Sequence, residues 1–193
     1  PTHKLDQARI PLLKDVLLAL RGTGVIVKIE LKGEGVTEPV LQLVEEMDMV
    51  HQCHFSSFVH DRIALVRQLH PETHTDGSHV YKTGALFHDE LESATDEDED
   101  DVVQQALKVG ASEVHLKYDQ CTKDIIAKIH NAGMSSMAWF RGPVGMKQDS
   151  QHKYHDVGNE DIAMYRAVMD TGVRQLCCNR PNVLVHYLHQ LYR

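Results

Sequence analysis

The sequence predicts an α/β fold in which parallel strands alternate with helices. Six segments have the residue pattern of a strand, and segments with the 3.6-residue apolar period of a helix separate them. Glycines end three of these helices, at Gly110, Gly133 and Gly172, and a strand pattern follows each one. Because this order requires crossover helices between parallel strands, open doubly wound sheets and closed barrels both fit, although six strands are two short of an eight-stranded barrel.

The elements follow in order from local signals. An apolar face in residues 13–20, between Pro11 and Gly22, predicts the first helix. Thr37 is expected to cap the second helix, with Pro39 in its first turn. The strands are predicted at residues 25–32, 51–58, 80–87, 113–118, 136–141 and 174–178. The remaining helices are predicted at residues 61–70, 102–109, 122–132 and 162–169, and from Pro181 onward.

The strand at residues 27–32 alternates apolar and charged side chains, which places Lys28, Glu30 and Lys32 on one face. Buried charges are costly unless they are paired or bind a ligand. This face therefore either meets water as the edge of a sheet, with an ion pair across it, or carries a site. In a site, the carboxylate would suit a hard divalent cation and the ammonium would suit an anion such as phosphate.

Functional side chains of parallel α/β folds gather at the carboxyl ends of the strands. Four cationic residues are predicted there in an acidic protein, namely Lys32, Lys117, Arg141 and Arg180. They would suit an anionic substrate, although strand ends are also basic by chance. Trp139, the single tryptophan, either anchors the core or lines a pocket.

Composition excludes several classes of protein. A net charge of -8 argues against a nucleic-acid binder, which needs a basic face. No apolar run is long enough to span a membrane. The four cysteines form no disulfide framework, which favours the cytoplasm or another reducing compartment. His51, Cys53 and His54 could suggest zinc, but they alternate across a strand and no second ligand pair accompanies them.

Several segments form a series of motifs along the chain. The first is the strand segment Ile29-Glu30-Leu31-Lys32, with residues 10–17 as the helix that precedes it. The later segments are Ser56-Ser57-Phe58 followed by Arg62-Ile63-Ala64-Leu65, then Gly133-Met134 with Trp139, then Gly172-Val173 through Asn179-Arg180-Pro181. In this order, and over nearly the whole chain, the segments resemble the motifs of the glycerophosphodiester phosphodiesterases.

The resemblance implies a TIM-type (β/α)8 barrel, of which this chain supplies about six β/α units as one domain over residues 1–193, incomplete at the amino terminus. It implies metal-dependent hydrolysis of glycerophosphodiesters to glycerol 3-phosphate and an alcohol, in lipid metabolism. In the family, the residue matching Glu30 binds a divalent cation (calcium or magnesium), the residue matching Lys32 meets the phosphate, and the residue matching Trp139 lines the substrate pocket.

The departures from the family concern the reaction itself. The family's His-Arg pair, its Glu-x-Asp metal pair and its second histidine do not occur here, and Trp139-Phe140-Arg141 stands where many members have Trp-Thr-Val-Asn. The catalytic residues are therefore unknown. We expect the full-length protein to be a hydrolase and this chain by itself to be inactive.

Two rival interpretations remain open. One is a catalytically inactive barrel module that binds a phosphate ester, and the other is an unrelated open α/β sheet with a phosphate ligand. A barrel that lacks two strands would also have two open sheet edges, which predicts self-association.

Overall fold

A computed structural model describes residues 9–87, 101–140 and 160–191. Its helices are α1 (Leu13–Leu20), α2 (Thr37–Glu46), α3 (His60–Leu69), α4 (Val102–Lys108), α5 (Lys123–Asn131), α6 (Ile162–Met169) and α7 (Pro181–Leu191). Its strands are β1 (Val27–Glu30), β2 (Cys53–Ser57), β3 (Lys82–Leu86), β4 (Glu113–Lys117), β5 (Ser135–Trp139) and β6 (Gln175–Cys177). The predicted alternation is confirmed, with element ends within about two residues of the predicted ones.

The six strands form one sheet in sequence order, and every neighbouring pair is parallel. In the described part of the chain, β1 and β6 are the two edge strands, since each pairs with a single neighbour. None of the described helices is long and apolar enough to cross a membrane.

The sheet is curled into a half-barrel, as two contacts across its inner face demonstrate. The rings of Phe58, just after β2, and Trp139, at the end of β5, meet edge to face with centroids 5.9 Å apart. Lys28 on β1 likewise reaches Glu113 on β4. Three strand spacings would separate these elements by about 14 Å in a flat sheet. The architecture is therefore a partial TIM-type barrel with a concave inner face.

Alternation along each strand separates a polar inner face from an apolar outer face. The outer face packs against the helices in two clusters of buried side chains. Phe55 and Leu41 belong to the cluster under the first helices, and Leu116 and Ile126 belong to the cluster under the later ones. The described helices pack on this outer face, whereas Lys28 of β1 points into the concave interior and reaches Glu113 there.

The local signals that end helices are mostly confirmed. Gly133 and Gly172 follow α5 and α6 with φ angles of 81° and 89°, which is the left-handed region that a side chain disfavours. The cap predicted at Thr37 is wrong. Val36 already has helical backbone angles (φ -83°, ψ -16°), so Thr37 lies inside the first turn, where it is buried.

Candidate functional site

The concave face is organised around one buried carboxylate, Glu113 of β4, which is 5% exposed. Its Oε2 accepts a bond from His115 Nε2 at 2.7 Å and pairs with the ammonium of Lys28. Its Oε1 lies 3.3 Å from His54 Nδ1 and 3.3 Å from Gln175 Nε2. These side chains, the Glu113 cluster, come from β1, β2, β4 and β6. The cluster therefore links the two edge strands through one carboxylate.

The charge state of the cluster follows from these contacts. Burial alone would raise the pKa of Glu113, but the donors His115, His54 and Lys28 outweigh it and hold that pKa well below its ordinary value. Burial lowers the pKa of His115, so its ring is neutral at pH 7. Because a carboxylate can only accept, the neutral ring carries its proton on Nε2. Glu113 therefore stays ionised and neutralises Lys28.

Gly84 of β3 makes room for this arrangement. A Cβ built there would lie 2.4 Å from His115 Cε1, well inside the contact distance of two carbons. A side chain at position 84 would therefore overlap the imidazole that bonds to Glu113.

Glu30 and Lys32 lie at the carboxyl edge, where β1 ends. The Lys32 ammonium is 3.3 Å from Glu30 Oε1, and their side chains are 75% and 33% exposed. An ion pair this open contributes little to stability. The predicted common face is confirmed: Lys28 is neutralised in the interior, whereas Glu30 and Lys32 remain accessible at the rim.

Trp139 lies at the same edge, at the end of β5, and packs against Phe58. Its indole Nε1 is buried and has no hydrogen-bond partner among the described residues. The ring is half-buried, so part of its surface is open at this edge of the sheet.

Two of the other cations predicted at the rim, Lys117 and Arg180, are already engaged. Lys117 Nζ lies 2.6 Å from Asp119 Oδ2, and Arg180 Nη1 donates to the carbonyl of Glu160 at 3.1 Å. Arg141 lies outside the described residues. Of the cations predicted for an anionic substrate, Lys32 is therefore the one that the structure presents in an open setting.

Sequence reasoning missed Glu160, which is fully buried beside the end of β6. Its Oε1 accepts from the main-chain N–H of Asn179 at 3.0 Å and from the side-chain amide of the same residue. These bonds fix the turn between β6 and α7. No periodic pattern surrounds Glu160 in the sequence, so no signal indicated that it would be buried.

The described residues do not fit a metal ion by themselves. They contain no group of three or more His, Cys, Asp or Glu side chains that could hold one. Glu30 supplies hard oxygen ligands, but calcium and magnesium take six or more ligands and Glu30 already meets Lys32. The zinc site suggested by His51, Cys53 and His54 is not formed, because Cys53 and His54 point to opposite faces of the sheet. Cys53 packs in the outer core, and His54 faces Glu113.

Comparison with known proteins gives a likeness of fold. No protein-family model matches the sequence, and no curated protein matches it either. Solved structures, by contrast, do match the fold of this chain. A candidate glycerophosphodiester phosphodiesterase from Galdieria sulphuraria matches with a TM-score of 0.71 and 21% identity, over 98% of this chain and 70% of that one.

Two further structures have the same fold. A glycerophosphodiester phosphodiesterase from Agrobacterium tumefaciens matches with a TM-score of 0.61 and 21% identity, over 90% of this chain and 60% of that one. An Oleispira antarctica phosphodiesterase, in complex with the product sn-glycerol-3-phosphate, matches with a TM-score of 0.62 and 14% identity, over 93% of this chain and 62% of that one.

The chain spans only 57–70% of the length of the first matching structures. At these identities the likeness concerns the fold, and it confirms at that level the resemblance found in the sequence.

Proposed function

We propose that the protein containing this chain hydrolyses glycerophosphodiesters to glycerol 3-phosphate and an alcohol. One observation carries the proposal: Glu30, Lys32 and Trp139, for which the resemblance implies roles in the site, lie at the carboxyl edge of a fold that known phosphodiesterases share. The Oleispira antarctica neighbour, with sn-glycerol-3-phosphate bound as product, supports the same ligand class.

The proposed roles follow from exposure and charge. The Lys32 ammonium, 75% exposed, would meet the phosphate, and the Glu30 carboxylate would hold that ammonium at the rim until a ligand binds. The ring of Trp139 would cover the apolar carbons of the glycerol. The general acid and base are not assigned, because no histidine of the described residues occupies a matching motif.

The divalent cation, calcium or magnesium, stays a prediction drawn from the resemblance. Because the described residues do not build its site, no step of the reaction is assigned to it.

The test measures glycerol 3-phosphate released from glycerophosphocholine by the native-length protein, by the 193-residue chain, and by native-length variants Lys32→Met and Glu30→Gln. Lys14→Met, which removes an exposed lysine from α1, is the matched control. We expect turnover by the native-length protein, a loss of at least about 100-fold in each rim variant, and an unchanged rate in the control.

A chelator applied to the native-length protein tests the cation. Absence of turnover with every diester would contradict the proposed hydrolysis. Binding without turnover would favour the phosphate-ester-binding module instead.

A further inference from the structure

Arg62, near the start of α3, holds the main chain at the end of β1. Its Nη1 donates to the carbonyl of Leu31 at 2.9 Å and to the carbonyl of Lys32 at 2.8 Å. One guanidinium nitrogen thus fixes two consecutive peptide groups, which flank the point where the Lys32 side chain leaves the chain.

The Glu30 carboxylate pairs with the Lys32 ammonium, but among the described residues only Arg62 bonds to the main chain of Lys32. Three hydrogen bonds hold Leu31. Its N–H donates to the carbonyl of Ser56 at 2.7 Å, and its carbonyl accepts from Ser57 Oγ at 2.8 Å as well as from Arg62. Among the described residues, the carbonyl of Lys32 accepts from Arg62 alone. The direction in which the chain leaves the rim therefore depends on Arg62.

Among the described residues, no carboxylate forms an ion pair with Arg62, whereas Lys28, Lys32 and Lys117 each have one. The positive charge of Arg62 lies close to Lys32 and favours an anion at this part of the rim.

We propose that Arg62 is a positioning residue, which fixes the Leu31–Lys32 peptides so that the Lys32 ammonium is held at the rim for the phosphate ester. The consequence for the ligand rests on the proposed function, and the fixing of the peptides does not. A lysine side chain has several rotatable bonds, so a fixed main chain removes part of the disorder that binding would otherwise have to overcome.

The same helix contains a matched control. Arg67, five residues further along α3, makes bonds of the same kind at the opposite end of the sheet. It donates to the carbonyl of Gly110 at 3.0 Å, to the carbonyl of Tyr81 at 3.2 Å and to Thr83 Oγ1 at 2.8 Å. In such folds the amino ends of the strands serve stability, and the carboxyl ends carry the site.

The first measurement is amide hydrogen exchange by NMR. In Arg62→Gln we expect the Leu31 amide to exchange about tenfold faster, while the Ser112 amide, which donates to Thr83 at 2.8 Å, is unchanged. In Arg67→Gln the Ser112 amide should exchange faster while the Leu31 amide is unchanged. If Arg67→Gln does not fold, Arg67→Lys takes its place. Unchanged exchange at Leu31 in Arg62→Gln would overturn the proposal.

The second measurement is calorimetric titration with glycerol 3-phosphate. We expect about tenfold weaker binding in Arg62→Gln, which equals about 1.4 kcal/mol, and partial recovery in Arg62→Lys, whose ammonium can reach one carbonyl. Arg67 variants should bind as the wild type does. Faster exchange with unchanged affinity would overturn the proposal.

No binding by the wild-type protein would instead contradict the proposed function. In that case the exchange of the Leu31 amide alone decides whether Arg62 fixes the segment.

Discussion

Replacing Glu113 with glutamine tests whether one carboxylate holds the half-barrel together. Glutamine keeps the size of the side chain but removes its charge, so the Lys28 ammonium, with 26% of its side chain exposed, loses its anion. Breaking a buried ion pair costs about 3–5 kcal/mol. Because Lys28 can turn partly towards water, we expect a loss of about 3 kcal/mol in the free energy of unfolding.

Urea unfolding at pH 7 measures this loss, with Glu46→Gln, an exposed glutamate on α2, as the control that should change stability by less than about 0.5 kcal/mol. The double variant Lys28→Met/Glu113→Gln isolates the pair, and a coupling free energy of at least about 1 kcal/mol is expected. A loss in Glu113→Gln no larger than that of the control would refute the role given to the cluster.

Three further outcomes are expected. Gly84→Ala should destabilise the protein by about 2 kcal/mol in the same assay, because the new methyl group would overlap the buried His115 ring; a neutral result would contradict the packing described for that ring. The melting temperature should fall as the pH drops below about 6.5 and fall further below about 4.5. The fold lowers the pKa of both His115 and Glu113, so the unfolded chain binds a proton first at His115 and then at Glu113 while the folded chain does not. A melting temperature equal at pH 7.5 and pH 4 would refute this. The 193-residue chain should self-associate in sedimentation velocity, because both edge strands of the described sheet are unpaired on one side. Beside β1, the apolar residues Val25 and Ile26 are also 51% and 46% exposed. A monodisperse monomer would rule out this self-association.

Local patterns predicted most of the fold. The alternation in residues 27–32 placed Lys28, Glu30 and Lys32 on one face, and the structure confirms it. The edge interpretation is confirmed, since β1 is an edge strand of the described sheet and Glu30 pairs with Lys32 on it, whereas a site on this face stays a prediction.

Long-range partners could not be predicted from local patterns. Glu113 lies 85 residues from Lys28, and the two meet only because the sheet curls. The choice between an open sheet and a barrel depends on that same curl, and for this reason the residues alone left both open. Glu160 and the role of Arg62 were missed because their partners are mostly main-chain groups, which leave no trace in residue type.

Trp139 allows the central claim to be tested directly, because it is the only tryptophan in the chain and lies at the proposed site. Its fluorescence should change saturably as glycerol 3-phosphate is added, and the change should weaken in Lys32→Met but not in Lys14→Met. A flat signal, together with no binding by calorimetry, would contradict the claim that the rim formed by Glu30, Lys32 and Trp139 recognises glycerophosphate esters.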